Sequence, residues 1–149
     1  MENPPLKKSS GPAELRLGCA ARLDALYVAL DAIEQACNMW KIDDSLVSRV
    51  RIVVEELFTN TIKYGYAGEC DKPVRVSLKR DPELTLIYED EAPQFNPLAW
   101  RAEPDAAFPR DERPPGLAGI AMVVGLSAKA SYKRRDGANC LAIVFAEKC

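Results

Sequence analysis

Two side chains in an apolar run could do chemistry together. Glu56 and Asn60 lie four residues apart in a stretch whose pattern predicts a helix, so they are neighbours on one stripe of its surface. A carboxylate and an amide oxygen suit magnesium coordination and proton transfer. The pair could instead be solvated surface residues, with Glu55 forming an ordinary helical ion pair with Arg51.

A second acid and two glycines could form the rest of a site. Asp90 ends a predicted strand and precedes a polar loop, where its carboxylate could accept a hydrogen bond from an exocyclic amine. Asp is also common as a turn residue at such positions. Gly116 and Gly119 begin a predicted short helix, and free amides at a helix start favour phosphate. Glycines also begin and end helices without binding any ligand.

The segment between these two regions is long and has no clear period. Residues 97–115 contain five prolines and the arginines Arg101, Arg110 and Arg113. Structureless loops of this length are uncommon inside a small domain and are usually functional. We therefore predict a lid over the site, although exposed loop arginines alone indicate little.

The elements that must position these residues follow from hydrophobic periodicity. Three- and four-residue apolar steps predict helices over 21–40 and 44–64, the second capped by Asp43 or Asp44 and ended by a left-handed Gly65. Alternation predicts strands over 14–19, 74–78, 84–88, 128–134 and 140–146, the first of them an edge strand. Turns are predicted at Asp81-Pro82 and Asp136-Gly137. Residues 1–13 are predicted to be a disordered tail and 14–149 one domain.

Composition limits the classes of function. The 149 residues carry 20 basic and 22 acidic side chains, a formal net charge of −2, which gives no electrostatic signature of nucleic-acid binding. The chain has no histidine, so the commonest general base is missing. Its five cysteines have no metal or redox spacing, which favours a reducing cytoplasm. No apolar run is long enough for a membrane span.

These segments resemble a known family in their order. Glu56-x-x-x-Asn60, Asp90 with Phe95 five residues later, a long loop and Gly116-x-x-Gly119 resemble the GHKL ATPases, which have the Bergerat ATP-binding fold. The greatest similarity is to the small anti-sigma factor serine/threonine kinases, and it extends over residues 14–147. Three further motifs carry this resemblance: Phe95-Asn96-Pro97-Leu98, Glu112-Arg113-Pro114 and the hairpin from Tyr132 to Gly137.

The resemblance implies an α+β fold, a two-layer sandwich with a mixed, mostly antiparallel sheet and helices on one face. ATP and Mg²⁺ would bind between the second helix and the lid. Asn60 would hold the metal, Glu56 would be the general base and Asp90 would bind the adenine amine. Ala92 and Phe95 would line the nucleotide site, and Gly116 and Gly119 would approach the phosphates.

The resemblance also implies partners. The chain would phosphorylate a STAS-domain anti-anti-sigma protein and sequester a sigma factor, and it could form a homodimer. Two positions depart from the family pattern, because Ala92 and Leu117 stand where glycine is usual. They leave open a non-catalytic binding module of the same fold, with weak or no nucleotide binding. An ATPase without a protein acceptor is a third reading.

Overall fold

The structure, a computed structural model, describes residues 13–100 and 125–147. These residues form five strands, two long helices and two short helical turns. In chain order these are β1 (Ala13–Ala20), α1 (Leu23–Met39), α2 (Asp44–Asn60), a π-helical turn (Thr61–Gly65), β2 (Pro73–Arg80), β3 (Leu84–Asp90), a 3-10 turn (Pro97–Trp100), β4 (Lys129–Arg135) and β5 (Ala138–Phe145).

The strands form one open sheet in the order β1-β2-β3-β5-β4, with β1 at an edge as predicted. All four described pairings are antiparallel. Asp136 and Gly137 join β4 to β5 with positive φ values of 54° and 80°, the backbone that a two-residue type I′ turn requires. The predicted hairpins and the largely antiparallel sheet are confirmed.

Both helices cover the same face of the sheet. α1 buries Leu26, Leu30, Ile33 and Cys37, and α2 buries a stripe that ends at Phe58. Alternate strand residues meet them, including Val76, Leu86 and Ile143. The predicted α+β class with helices on one face is confirmed.

The ends of α2 show one correct expectation and one error. Asp43 caps the N-terminus, where its side chain accepts a hydrogen bond from the Ser45 amide at 3.1 Å. The left-handed C-cap at Gly65 was wrong: α2 ends at Asn60, a wider π-helical turn follows, and positive φ occurs instead at Ala67 and Gly68. A close contact favours glycine at position 65, because an added Cβ would lie 3.0 Å from the Ala92 Cβ and one of the two would have to shift.

Neither described helix is long and apolar enough to cross a membrane. Residues 1–12 of the predicted tail and most of the predicted lid, including its three arginines, lie outside the described residues, while Ala13 begins β1. So do Gly116, Leu117 and Gly119.

Candidate functional site

A polar cross-strand row marks one end of the sheet's helix-covered face. The pairing register places Asp90 on β3 opposite Asn139 on β5, and Asn139 opposite Arg134 on β4. The adjacent row on the same face is Tyr88, Leu141 and Tyr132. The row after that is the apolar set Leu86, Ile143 and Ala130. The antiparallel register therefore collects polar groups where the hydrophobic core ends.

A cavity of about 300 Å³ opens over this row. α2 and the π-helical turn form one wall, which includes Asn60 and Tyr64, and the loop after β3 forms another. Asn60, Asp90, Ala92 and Phe95, which the sequence analysis assigned to a nucleotide site, all line this cavity. Much of the remaining lining is aromatic or aliphatic, which is typical of small-molecule pockets.

Asp90 is a buried carboxylate with defined partners. It is 8% exposed. Its Oδ1 accepts hydrogen bonds from Asn139 Nδ2 at 2.9 Å and from the Ala92 amide at 3.2 Å, while its Oδ2 accepts one from the Thr61 hydroxyl at 2.7 Å. A carboxylate offers about four lone-pair sites. The described residues therefore leave Oδ2 able to accept one further hydrogen bond from a ligand.

Thr61 and Tyr88 form a hydrogen-bonded network that orients the Asp90 carboxylate. The Tyr88 hydroxyl lies 2.7 Å from Thr61 Oγ1 and 3.2 Å from the Leu57 carbonyl oxygen. Complete burial raises the pKa of the Tyr88 phenol well above its ordinary value, so the hydroxyl keeps its proton. Thr61 Oγ1 donates its single proton to Asp90 Oδ2 at 2.7 Å or to the Leu57 carbonyl oxygen at 3.0 Å. In either case the proton between the two hydroxyl groups comes from Tyr88. The π-helical turn that begins at Thr61 is of a kind often found at functional sites.

Asn60 lies at the cavity's other side, and Glu56 contacts it from one helical turn earlier. Both are half-buried, and Asn60 Nδ2 donates to Glu56 Oε2 at 3.4 Å, a long contact that leaves the Asn60 Oδ1 as an acceptor. Asn60 lines the cavity, whereas Glu56 is not among its lining residues. The alternative pairing of Glu55 with Arg51 does not occur among the described ion pairs, in which Arg51 binds Glu34 on α1 at 2.7 Å.

Ala92 fits its position without backbone strain. The φ angle of Ala92 is not positive, and the residue is 3% exposed. Its methyl group packs toward Gly65, which has no side chain. The alanine that replaces the family's glycine is thus accommodated by a glycine on the facing π-helical turn.

The sequence did not single out Asn139, which ties the loop after β3 to the sheet. Its amide nitrogen lies 3.1 Å from the Pro93 carbonyl oxygen, and its oxygen accepts from the Phe95 amide at 3.1 Å. Tyr66 holds the start of the same loop by accepting from the Glu91 amide at 2.7 Å. One signal pointed to Asn139: it is a polar residue at a core-face position of an alternating strand, where Asn is disfavoured.

Comparison with known proteins agrees with this architecture. Residues 19–145 match the family described as histidine kinase-like ATPase domain. The chain belongs to this family, as its resemblance to GHKL ATPases predicted. A comparison with curated proteins finds no match.

A solved structure shares the fold. The chain is similar to a crystal structure of the RsbU and RsbW domains of Rv1364c from Mycobacterium tuberculosis, with 14% identity and a TM-score of 0.63. The match covers 93% of this chain and 33% of the other, so this chain spans about a third of that protein's solved length.

Proposed function

We propose that the protein is an ATP- and Mg²⁺-dependent serine/threonine protein kinase of the anti-sigma factor type. It would phosphorylate a STAS-domain antagonist, sequester a sigma factor in the cytoplasm and so regulate transcription by partner switching. The observation that carries the proposal is the single cavity that joins Asn60 to Asp90 in a chain of the ATPase family. The RsbW domain in the structurally similar protein supports the regulatory class.

The base end of the site fits an adenine. Asp90 Oδ2 retains acceptor capacity, and the aromatic rings of Tyr64 and Phe95 are 52% and 40% exposed along the cavity. Such rings can contact the faces of a planar base. A guanine would present an oxygen where adenine presents its amine, and that oxygen would face an acceptor rather than a donor.

Asn60 would hold a magnesium ion, which would supply positive charge at the phosphate end of the nucleotide site. Residues 13–100 and 125–147 hold no group of three or more acidic, cysteine or histidine side chains able to bind a metal. Mg²⁺ commonly takes one or two protein ligands and completes its shell with water and phosphate oxygens. A single amide oxygen on the cavity wall is therefore a sufficient protein ligand.

Glu56 would act as the general base. Bound Mg²⁺-ATP would supply the transferable phosphoryl group, and Glu56 would take the proton of the incoming serine or threonine hydroxyl. Its 3.4 Å contact with Asn60 holds its carboxylate beside the metal ligand. The lid arginines, with Gly116 and Gly119, would complete the phosphate end.

A non-catalytic binding module is the second candidate. It is favoured by Ala92, whose methyl group occupies the cavity wall where the family pattern has glycine. Calorimetric titration with Mg²⁺-ATP separates the two functions, because a module without nucleotide affinity would give no binding heat at millimolar ligand.

Phosphate transfer tests the catalytic assignment. The protein is incubated with γ-labelled ATP and a STAS-domain protein from the same genome. We expect Glu56→Gln to lower labelling of the acceptor by about a hundred-fold or more while nucleotide affinity changes little. Glu55→Gln is the matched control, because the Glu55 carboxylate is exposed, whereas Glu56 is half-buried and contacts Asn60. Parent-like labelling by Glu56→Gln would refute the role of Glu56, and release of free phosphate without labelled protein would indicate an ATPase.

A further inference from the structure

The hydrogen bonds of Asn139 carry an inference that rests on the proposed nucleotide site. We propose that Asn139 is a positioning residue, which holds both the Asp90 carboxylate and the loop from Ala92 to Phe95 in the geometry that accepts the nucleotide base. It does so from β5, 49 residues after Asp90 in the chain.

The amide nitrogen of Asn139 faces acceptors alone. It lies 2.9 Å from Asp90 Oδ1, 3.1 Å from the Pro93 carbonyl oxygen and 3.3 Å from the Ala92 carbonyl oxygen. Two N–H protons are thus shared among three acceptors. This half of the side chain joins the base-binding acid to the loop that follows it.

The amide oxygen of Asn139 faces donors alone. It accepts from the Tyr132 hydroxyl at 2.7 Å, the Phe95 amide at 3.1 Å and the Arg134 guanidinium at 3.2 Å. Rotating the amide by 180° would set its oxygen against three acceptors and its nitrogen against the Phe95 amide and the Arg134 guanidinium, which only donate. The contacts therefore define one orientation. With both ends saturated, Asn139 has no capacity left for a ligand and acts through its neighbours.

Arg134 reinforces the same arrangement. Its Nη1 donates to the Ala92 carbonyl oxygen at 2.8 Å as well as to Asn139. The carbonyl groups of Ala92 and Pro93 are therefore engaged by the sheet. Since Asn139 and the Ala92 amide occupy Asp90 Oδ1, a base amine is directed to Oδ2.

Two measurements on Asn139→Ala test the inference. Hydrogen exchange in the nucleotide-free protein should show the amides of residues 91–96, above all Phe95, exchanging about ten-fold faster while β2 and α2 keep the parent's protection. Calorimetry should show Mg²⁺-ATP affinity falling about ten-fold, the effect of misplacing a charged hydrogen-bond acceptor. Asn38→Ala, an amide removed from an exposed position on α1, is the control and should change neither.

Asn139→Asp separates the two halves of the side chain and serves if the alanine variant fails to fold. It retains an oxygen for Phe95 but sets a second oxygen against Asp90. We expect it to lose affinity at least as strongly as the alanine variant while the Phe95 amide stays protected.

The possible failures are distinguishable. Parent-like exchange of residues 91–96 in Asn139→Ala would overturn the inference. So would faster exchange with unchanged Mg²⁺-ATP affinity, and the proposed function would then stand. If the parent protein binds no Mg²⁺-ATP, the proposed function fails. The exchange rates of residues 91–96 in Asn139→Ala would still show whether Asn139 holds the loop.

Discussion

Exchanging glycine and alanine between positions 65 and 92 should leave the protein nearly as stable as the parent, although each substitution alone should destabilise it. The two residues face each other across the junction of the π-helical turn and the loop after β3. A Cβ added at Gly65 would lie 3.0 Å from the Ala92 Cβ and 3.7 Å from Thr61 Cγ2. Two methyl groups cannot approach this closely without displacing the backbone of one element.

The expected free energies of unfolding follow from this contact. Gly65→Ala gains about 0.4–1 kcal/mol by restricting the unfolded chain, but overpacking costs about 1–3 kcal/mol, a net loss of roughly 1 kcal/mol. Ala92→Gly loses a buried methyl group, about 0.8 kcal/mol, and about 0.5–1 kcal/mol of backbone entropy. In the double variant the new methyl group enters the vacated space, so the coupling energy should favour the pair by about 2 kcal/mol.

Urea unfolding of the four proteins, followed by circular dichroism, measures this coupling. Gly18→Ala is the matched control, because a Cβ on that strand glycine would meet no atom within 4 Å and should cost no packing energy. If Gly65→Ala destabilises the protein equally with alanine or glycine at position 92, close approach to Ala92 is not the reason for the glycine.

Two further predictions concern buried polar groups. Thr61→Val removes the donor to Asp90 Oδ2 and should lower the free energy of unfolding by about 2 kcal/mol. Thr61→Ser keeps the hydroxyl and should retain most of the parent's stability. Equal losses of the two variants in urea unfolding would show that the hydroxyl does not support the carboxylate. Burial, with a smaller effect of the Glu34 carboxylate, raises the pKa of the Cys37 thiol from 9.0 to about 11. Between pH 9 and 11 the thiol therefore stays neutral in the folded protein and ionises in the unfolded chain. The contribution of Cys37 to the free energy of unfolding is complete below pH 9 and is lost as the pH rises to 11. From pH 9 to 11 the free energy of unfolding of Cys37→Ala should fall roughly 2–3 kcal/mol less than that of the parent. Parallel pH profiles of the two proteins would contradict this prediction.

The periodic elements could be predicted because neighbouring residues carry their signal. Alternation at Val74, Val76 and Leu78 reports a half-buried strand, and the Asp136-Gly137 pair specifies its own turn. Gly65 misled the prediction because glycine serves two purposes. Sequence alone does not distinguish a left-handed backbone from a close contact with a residue 27 positions later.

The candidate site was only partly predictable for a related reason. Asn60 and Asp90 stood out because the family pattern surrounds each of them. Asn139 lies one residue before the predicted strand 140–146, and its partners Asp90 and Phe95 lie 49 and 44 residues away. The pairing of β3 with β5 brings these groups together, and that pairing depends on the whole sheet.

The position of the site follows from how polarity changes along the sheet. Successive rows on the helix-covered face run from aliphatic residues to Tyr88 with Leu141, and then to Asp90 with Asn139. Each polar group in the last row loses water as it packs against the core, so it needs a protein partner to offset the cost. Thr61 and Asn139 provide those partners for Asp90 and hold its carboxylate in one orientation. Because this row is already ordered before a ligand enters, binding a base amine at Oδ2 requires little further ordering, and preorganisation of this kind strengthens binding.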